Sequence, residues 1–400
     1  MGICAGGGTG QINWTFRPGC ACQPRPCSLN FAAYPAMLSQ IKKLFGAKES
    51  GLLVVILILG ALISAFSGTV RLPVFERGAD GVRQRVFVTN GSGERVPAVV
   101  EKNKFLNVQN FAQIAKDSSF IAIMAVGMAM VIISGGIDLS VGSVYALASV
   151  LGALVLRRYG VEGEASPGLG IFLGCCTCLG VSLLCGLFNG GLTVAIGVHP
   201  FIITLASMSI FRSVAFVATN GQTITDFPEG FQKFVQMKIG DDLSVIPALL
   251  MGIVLIVGFI YLARLATGRR IYAVGGNELA ARFSGIRVER VKLGVYMLGA
   301  LTAGVSALVS IGYYGAGGSG DGQGYELNVI AACVVGGTSL SGGKGSALGV
   351  VLGALFIQMI EAGIVTVGIP QEYKGVIIGV VIIAAVALEK INTSLTQRRL

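Results

Sequence analysis

Residues 275–285 carry the side chains with the clearest potential for a chemical role. The segment reads GGNELAARFSG and lies between two long apolar stretches. A helix over residues 278–285 would place positions i, i+3, i+4 and i+7 on one face. These positions are Glu278, Ala281, Arg282 and Gly285. Two small residues and two opposite charges suit docking into a cleft of another protein, so the segment, together with Asn277 before it, predicts a contact for a separate motor.

A second polar segment, residues 134–143, reads SGGIDLSVGS. Its two glycines interrupt an apolar stretch, and Asp138 precedes the next predicted helix. A carboxylate at that position accepts hydrogen bonds from free N–H groups and interacts favourably with the helix dipole. Asp138 is therefore predicted either to cap the helix or to lie in a transport path, and the pattern does not decide between the two.

Two further interruptions contain glycine. The sequence NGG at 189–191 is predicted to break one apolar stretch before HPF at 199–201 opens the next. The lone His199, at a helix entry, is more typical of a surface residue than of a ligand. Residues 331–346 read AACVVGGTSLSGGKGS, which predicts a non-helical or re-entrant turn that protein or water must cover at membrane depth.

The composition predicts that the elements around these segments are membrane-spanning helices. Hydrophobic residues make up 53% of the chain and charged residues 12%, against about 25% charged in soluble domains. The 59 glycines suit closely packed transmembrane helices. Ten apolar stretches come near the ~20 residues that cross a bilayer: 51–67, 119–134, 141–156, 169–188, 201–219, 243–265, 291–314, 327–340, 346–368 and 373–388.

Basic residues predict the orientation, because short loops rich in Lys and Arg stay in the cytoplasm. With the amino end inside, the inner segments hold fourteen Lys and Arg, seven of them in the loop 264–292, and the short outer loops hold five. Both ends are therefore predicted to be cytoplasmic. The net charge of +10 follows from this topology and from a basic outer segment, so it does not indicate a nucleic-acid-binding module.

Residues 68–117 are predicted to form an extracytoplasmic insertion. Within it, residues 84–100 read QRVFVTNGSGERVPAVV, in which β-branched and aromatic residues flank the dipeptide Asn90-Gly91. That dipeptide suits a tight turn, so we expect a small β-hairpin. The hairpin is either a contact for an extracytoplasmic partner or a solvated insertion without a role.

Residues 1–36 differ from the rest of the chain. They contain four cysteines and several prolines, and they lack the apolar core of a signal peptide. The alternatives are a disordered extension, a metal-binding knuckle, and an untranslated stretch with Met37 as the true start. Residues 37–400 are then the transmembrane domain.

Two charges fall inside predicted spans, where an ionisable group is costly unless it is paired or faces water. Arg212 lies eleven residues after Phe201, and Glu361 lies fifteen after Ser346. At ~1.5 Å per residue, both reach the outer half of spans that start inside. The matched depth predicts a buried ion pair between Arg212 and Glu361, with a role in the transport path as the alternative for either residue.

Two glycine-rich strings resemble nucleotide-binding motifs only in part. GAGGSG at 315–320 matches G-x-G-x-x-G, but it follows a predicted span and opens no strand–helix unit. Residues 338–345 lack the first glycine and the terminal Ser or Thr of a phosphate-binding loop, so Lys344 is not expected to bind ATP. The sequence predicts no catalytic residues and no metal site in this chain.

Four motifs in the same order make the chain resemble the permease subunits of ATP-binding-cassette importers for simple sugars of the ribose, galactose and xylose type. The motifs are GGIDLSVGS from 135, NG at 189 followed by PFIITL from 200, IYAVGGNELAARFSGI from 271, and IAACVVGGTSLSGGKGS from 330. The resemblance covers residues 107–390. The long insertion after the first span and the amino extension depart from the family.

The resemblance implies an all-α integral membrane protein of about ten transmembrane helices with broken or re-entrant segments. It implies three partners: an ATPase subunit, an extracytoplasmic sugar-binding protein and a second permease chain, either identical or a close paralogue. It also implies that ATP and Mg²⁺ bind in the ATPase, that this chain has no cofactor, and that the segment at Glu278, Ala281 and Gly285 is the coupling contact in the cytoplasm.

Alternating access is the mechanism that follows from the resemblance, with the partner's movement displacing residues 278–285. Polar and aromatic side chains along the spans would then contact the sugar. The residues predicted for this translocation path are Asp138, Asn189, Phe201, Thr204, Arg212 and Glu361. The alternatives are a cassette permease for nucleosides, furanosyl signals or branched-chain amino acids and, in a different class, an ion-coupled secondary transporter.

Overall fold

The computed structural model describes residues 47–397 except for residues 74, 78–82, 90–92, 164–165 and 240–242. The predicted extension at 1–36 and the alternative start at Met37 lie outside these residues. The α-helices are α1 (Ala47–Phe66), α2 (Val108–Ile133), α3 (Val141–Gly160), α4 (Pro167–Ile196), α5 (Pro200–Thr219), α6 (Glu229–Val235), α7 (Val245–Arg264), α8 (Ala266–Gly276), α9 (Glu278–Phe283), α10 (Val288–Tyr314), α11 (Tyr325–Val335), α12 (Ala347–Val367) and α13 (Lys374–Gln397).

Eight helices of the described chain are long and apolar enough to cross a membrane: α1 over Glu49–Phe66, and α2, α3, α4, α5, α7, α10 and α12. The prediction of a mostly helical integral membrane protein is thus confirmed. The apolar stretch 327–340 is not one continuous helix, because α11 has 11 residues and ends at Val335. At ~1.5 Å per residue it rises about half of the ~30 Å hydrocarbon thickness. The helix α11 ends in a turn, and Gly337, whose φ is +86°, belongs to that turn.

The predicted break at 189–191 is wrong. Helix α4 runs without interruption from Pro167 to Ile196 and ends at Gly197, whose φ is +70°. A Cβ on Gly190 would lie 3.1 Å from atoms of Leu293 and Tyr296. The glycine at this position therefore allows α10 to approach α4 closely, and it does not end the helix.

Helix α2 forms the centre of the fold. Every residue from Ser118 to Ile133 is buried, and α2 packs against α7, α10, α11 and α12. At its crossing with α10, a Cβ on Gly127 would lie 2.9 Å from the Cα of Gly299. Transmembrane helices associate through such small residues because their backbones can then approach each other.

Helices at the periphery keep one apolar face uncovered. Helix α1 packs Ile56 and Ile63 into a small cluster with Phe105, Ile114 and Met359. Its remaining apolar residues, such as Leu57, are exposed. In a soluble domain an apolar surface of this extent would be unusual, whereas lipid chains cover it in a membrane.

The insertion between α1 and α2 folds as antiparallel strand pairs. The strands are β1 (Thr69–Pro73), β2 (Phe75–Arg77), β3 (Arg83–Arg85), β4 (Phe87–Thr89), β5 (Arg95–Pro97) and β6 (Val99–Asn103). Strand β1 pairs with β6, β2 with β3 and β4 with β5. The β4–β5 pair aligns Val88 with Val96 within the predicted hairpin. Its turn at Asn90-Gly91 lies outside the described residues, and its extracytoplasmic position stays a prediction. A short pair, β7 (Lys238–Ile239) with β8 (Leu243–Ser244), precedes α7.

Candidate functional site

Helix α9 is a short, well-capped helix within the predicted coupling segment. The Asn277 side chain accepts a hydrogen bond from the Ala280 N–H at 2.9 Å, which satisfies a free donor in the first turn. Gly285 adopts φ +79°, and the Ile286 N–H donates to the Ala281 carbonyl across this turn at 3.1 Å. A left-handed glycine just beyond the last helical residue is a common helix stop. Gly285 therefore ends the helix and does not extend its face.

The face predicted from the sequence contacts this chain itself. Ala281 is 4% exposed and packs with Val274 and Val288. The charged residues of the same face also have partners within the chain. Lys292 Nζ lies 2.8 Å from Glu278 Oε2, and an Arg282 guanidinium nitrogen lies 2.8 Å from Glu289 Oε1. Ala281 is thus packed within this chain, and its part in the predicted contact stays a prediction.

The opposite face of α9 presents two large apolar side chains to the surroundings. Leu279 is 68% exposed and Phe283 is 90% exposed. They lie four residues apart, so they share one face of the helix. Sequence reasoning did not select them, because apolar residues are abundant in this chain. The available signal was an i, i+4 apolar pair inside a loop that is otherwise polar and charged.

The end of α2 and the glycine-rich loop 336–346 pack against the segment that leads into α9. The Gly343 N–H donates to the Ile133 carbonyl at 2.8 Å, and a Cβ on Gly275 would lie 1.6 Å from that same carbonyl oxygen. The Tyr272 hydroxyl donates to the Gly345 carbonyl at 2.8 Å, and burial raises the pKa of this hydroxyl. A displacement of α8 and α9 would therefore reach α2 through backbone contacts.

A cavity of about 490 Å³ lies between the coupling segment and the ends of α2 and α4, and we call it the inner cavity. Its walls include the turn at 134–136, the turn at 197–200, Asn277 and Glu278. The Tyr296 hydroxyl is buried and has no hydrogen-bond partner among the described residues. One wall of the inner cavity thus comes from the predicted motor contact, and another comes from the ends of the spans.

Three of the residues predicted for the path meet in one buried cluster. Asp138 accepts hydrogen bonds from the Ser140 N–H at 2.8 Å and from the Ser140 hydroxyl at 2.6 Å. The Asn189 amide donates to the Ser140 oxygen at 2.7 Å, and the Thr204 hydroxyl donates to the Ile137 carbonyl at 3.2 Å. These hydrogen bonds to Asp138 stabilise the turn before α3. This role is similar to the helix-capping role that is one of the two predictions for Asp138. A transport role for Asp138, Asn189 and Thr204 stays a prediction.

A polar groove lies at the other end of α5, and we call it the outer groove. It consists of two cavities of about 400 and 490 Å³ that share Arg212 and Gln323 in their walls. The guanidinium of Arg212 donates to the Ser319 carbonyl at 3.0 Å and to the Asp321 carbonyl at 2.6 Å. Other polar side chains complete the lining: Ser209, Ser213, Thr223, Asp321 and Glu326.

Asp321 holds the loop of the outer groove in place. Its carboxylate accepts hydrogen bonds from the Ser149 hydroxyl and the Gly318 N–H, both at 2.9 Å. One oxygen of Glu326 is buried without a hydrogen-bond partner in the described chain. The outer groove thus combines a fixed guanidinium with the Gln323 amide and several hydroxyl groups in its lining, which suits a ligand rich in hydroxyl groups.

The predicted ion pair between Arg212 and Glu361 is wrong. Glu361 lies 2.9 Å from Lys374 Nζ and accepts a hydrogen bond from the Asn328 amide at 2.9 Å. Arg212 binds the loop carbonyls of the outer groove instead. Helix α5 packs against α3 and α4, whereas α12 packs against α1, α2 and α11. Equal depth in the membrane does not bring two side chains together when their helices are not neighbours.

Phe201 takes a position that the path prediction did not anticipate. It lies in the first turn of α5 and is 42% exposed. The neighbouring Ile202 and Leu205 are exposed as well. Phe201 thus belongs to the uncovered apolar surface of α5.

The fold is thus a bundle of membrane-spanning helices with a polar groove and, elsewhere in the bundle, a short capped helix that presents two apolar side chains. The family described as branched-chain amino acid transport system / permease component matches residues 110–386. This match covers more than half of the chain, and the chain belongs to that family.

The chain is similar to several curated permeases over most of their length. It is 38% identical to the ribose import permease protein of Escherichia coli (strain K12) over 287 residues, 71% of this chain and 87% of the relative. It is 38% identical to that of Bacillus subtilis (strain 168) over 315 residues, 78% and 94% of the two chains. Identity to the D-allose transport system permease protein of Escherichia coli (strain K12) is 35% over 288 residues, 72% and 85%. No solved structure matches the chain.

These similarities confirm the class expected from the four motifs. The chain is the permease component of a cassette-type importer and a multi-pass protein of the inner membrane. Permease components of this kind are not enzymes themselves. The classification disfavours the ion-coupled secondary transporter among the alternatives.

Proposed function

We propose that this chain forms the passage of an importer that moves a simple sugar, such as ribose, galactose or a similar monosaccharide, into the cytoplasm. The observation that carries the proposal is the identity of 31–38% to relatives named for ribose, galactose and allose import. ATP hydrolysis takes place in a separate ATPase subunit. A binding protein delivers the sugar from outside, and a second permease chain completes the passage.

The outer groove supports a polyhydroxylated substrate. A sugar presents hydroxyl groups that both donate and accept hydrogen bonds. Arg212 and Gln323 can donate to them, and the hydroxyl oxygens of Ser209 and Ser213 can accept. These contacts are few and lie at the surface of the fold, so they hold the sugar weakly enough to release it. Selection between sugars then belongs to the binding protein.

The inner cavity supports a route from the motor to the passage. The partner ATPase contacts α9 through Leu279 and Phe283 and changes its conformation when ATP binds. Because Asn277 and Glu278 line the inner cavity, moving α9 changes the cavity wall next to the turns at 134–136 and 197–200. A conformational switch requires that the ligand bind two states differently, and ATP meets this requirement in the ATPase subunit.

A second candidate substrate is a branched-chain amino acid, because the description of the matching family names that class. An amino acid of this kind needs an apolar pocket for its side chain and opposite charges for its two ionised groups. Arg212 and Glu326 could supply the charges. Among the described residues, Met208 and Phe216 are the only large apolar side chains in the lining of the outer groove, and each lies in a different one of its two cavities, which favours the sugar.

Uptake by the reconstituted complex tests the proposal. The permease, the ATPase and the binding protein are purified together and placed in vesicles, and ATP-driven uptake of labelled ribose, galactose, allose and leucine is measured. We expect uptake of at least one of the three sugars and none of leucine. Uptake of leucine and of none of the sugars would show that the substrate is a branched-chain amino acid.

A further inference from the structure

A large basic cavity lies at the end of α7 and the start of α10, apart from the inner cavity and the outer groove. Its volume is about 760 Å³, within the ~300–1,000 Å³ of sites for small ligands. We call it the arginine cavity, because four of its lining residues are arginines and none is acidic. These arginines are Arg269, Arg270, Arg287 and Arg290.

The arginines come from two separate segments that converge on one space. Arg269 and Arg270 belong to α8, Arg287 precedes α10, and Arg290 lies in the first turn of α10. Within the described ranges, Arg270, Arg287 and Arg290 form no ion pair and no side-chain hydrogen bond. Arg269 donates only to the Arg264 carbonyl, at 3.4 Å. The preference for basic residues in cytoplasmic loops accounts for their number. It does not account for their convergence on a shared cavity without a carboxylate.

Ser284, Gly285 and Ile286 contribute one side of the lining, and another side is typical of the edge of a bilayer. Tyr261, in the last turn of the spanning helix α7, and Val291, Gly294 and Val295 of α10 form its apolar side. Tyrosine is enriched at the membrane–water interface because its ring is apolar and its hydroxyl is polar. Above Tyr261, the residues Val257 and Ile260 of α7 are exposed. The cavity therefore continues into an uncovered apolar helix surface.

We propose that the arginine cavity binds the headgroup of an anionic phospholipid. The phosphate pairs with the unpartnered guanidinium groups, for which phosphate geometry is well suited. The glycerol region lies against Val291 and Gly294, and the acyl chains follow the exposed face of α7. A basic pocket between transmembrane helices at the membrane surface has the chemistry that recognises such headgroups. This site does not depend on which solute the protein transports.

An acidic surface on a soluble partner is the main alternative occupant. It would satisfy the arginines, but it would not contact the exposed apolar residues Val257 and Ile260 that adjoin the cavity on α7. A phospholipid satisfies both parts, since its charge and its chains belong to one molecule. The continuity between the basic and the apolar surface therefore favours the lipid.

Binding of fluorescent phosphatidylglycerol to the full-length protein in neutral detergent tests the proposal, with phosphatidylcholine as the neutral probe. We expect binding of the anionic lipid only. Each arginine near a membrane contributes a factor of roughly five in affinity, so R270Q with R290Q lowers it roughly 30-fold. The control carries R158Q with R264Q, which removes two exposed arginines outside the cavity and should leave the affinity unchanged.

A second variant tests the cavity without changing its charge. A Cβ on Gly294 meets no atom within 4 Å, so Gly294→Leu folds and fills the apolar side of the arginine cavity. It is expected to lower phosphatidylglycerol affinity as well. Equal binding of both lipids, or unchanged binding in both variants, would overturn the proposal. Inorganic phosphate that competes as effectively as the lipid would also overturn it. So would arginine variants that lose binding of the ATPase subunit but keep binding of phosphatidylglycerol.

Discussion

Individual side chains on α9 divide into an inward and an outward set. Ala281 is buried against Val274 and Val288, and the ion pairs of Glu278 and Arg282 fix the helix to α10. Leu279 and Phe283 are the large groups that remain exposed. A partner protein that contacts α9 would therefore meet these two apolar side chains beside the half-exposed ion pairs of Glu278 and Arg282.

Phe283→Ala is expected to weaken the contact with the ATPase subunit. Removal of an exposed aromatic that anchors an interface lowers affinity roughly tenfold to 30-fold. ATP-driven uptake should fall accordingly, while the amount of folded protein in the membrane stays the same. The control is Phe66→Ala, which removes an aromatic that is 74% exposed at the end of α1. Gly285→Trp is a poorer test, because a side chain at φ +79° strains the backbone. Full ATPase affinity in Phe283→Ala would refute the contact.

The ion pair between Glu361 and Lys374 gives a prediction about stability. Lys374 is 38% exposed and Glu361 is 16% exposed, so the pair is partly shielded and its loss is expected to cost about 1 kcal/mol of unfolding free energy. Lys374→Glu together with Glu361→Lys should restore most of the stability that either change removes.

The matched control exchanges the pair that was predicted from depth alone. Arg212→Glu with Glu361→Arg is expected to show no rescue, since the two side chains have different partners. Thermal unfolding in detergent measures both exchanges. Rescue by the second exchange and not by the first would mean that the observed pairing is absent in the protein.

Helices and turns could be predicted from the sequence to different extents. The length of the apolar stretches predicted most of the membrane-spanning helices, because the length needed to cross a bilayer depends only on its thickness. Whether a glycine ends a helix or allows another helix to approach depends on the neighbour, and Gly190 shows the second case within α4. The rotational position of a span likewise depends on its neighbours, which is why depth alone paired Arg212 with Glu361 although Arg212 binds backbone carbonyls.

The contact between α2 and α10 is expected to be sensitive to any added side chain. A Cβ on Gly127 would lie 2.1 Å from the Thr302 hydroxyl oxygen and 2.9 Å from the Gly299 Cα. Gly127→Val should therefore destabilise the fold by about 1–3 kcal/mol or more. The same substitution at Gly252 of α7, where a Cβ meets no atom within 4 Å, is the control. Equal thermal stability of the two variants would show that the helices do not cross this closely.

At the scale of the whole molecule, the polar groove and the proposed partner contact lie in different parts of the described chain. The described residues include no cluster of His, Cys, Asp and Glu that could hold a metal ion. Polar groups suited to a sugar lie in the outer groove, and the apolar contact suited to a partner lies on α9. Under the proposed function, the energy for transport enters through α9.

Vesicles that contain this chain alone are expected to show no sugar uptake under a proton or sodium gradient. Addition of the ATPase, the binding protein and ATP should start uptake, and an inactive ATPase variant should not. The measurement is accumulation of labelled sugar inside the vesicles over time. Gradient-driven accumulation by this chain alone would place the protein among secondary transporters.

Gly275 and the Ile133 carbonyl leave no room for a side chain between the segment before α9 and the end of α2. Side chains are the compressible layer in most helix contacts, because they can change rotamer. Here the backbones touch directly, and a push on α9 cannot be absorbed on the way to the central helix. If the partner moves α9 as proposed, even a small displacement is therefore expected to reach the end of α2.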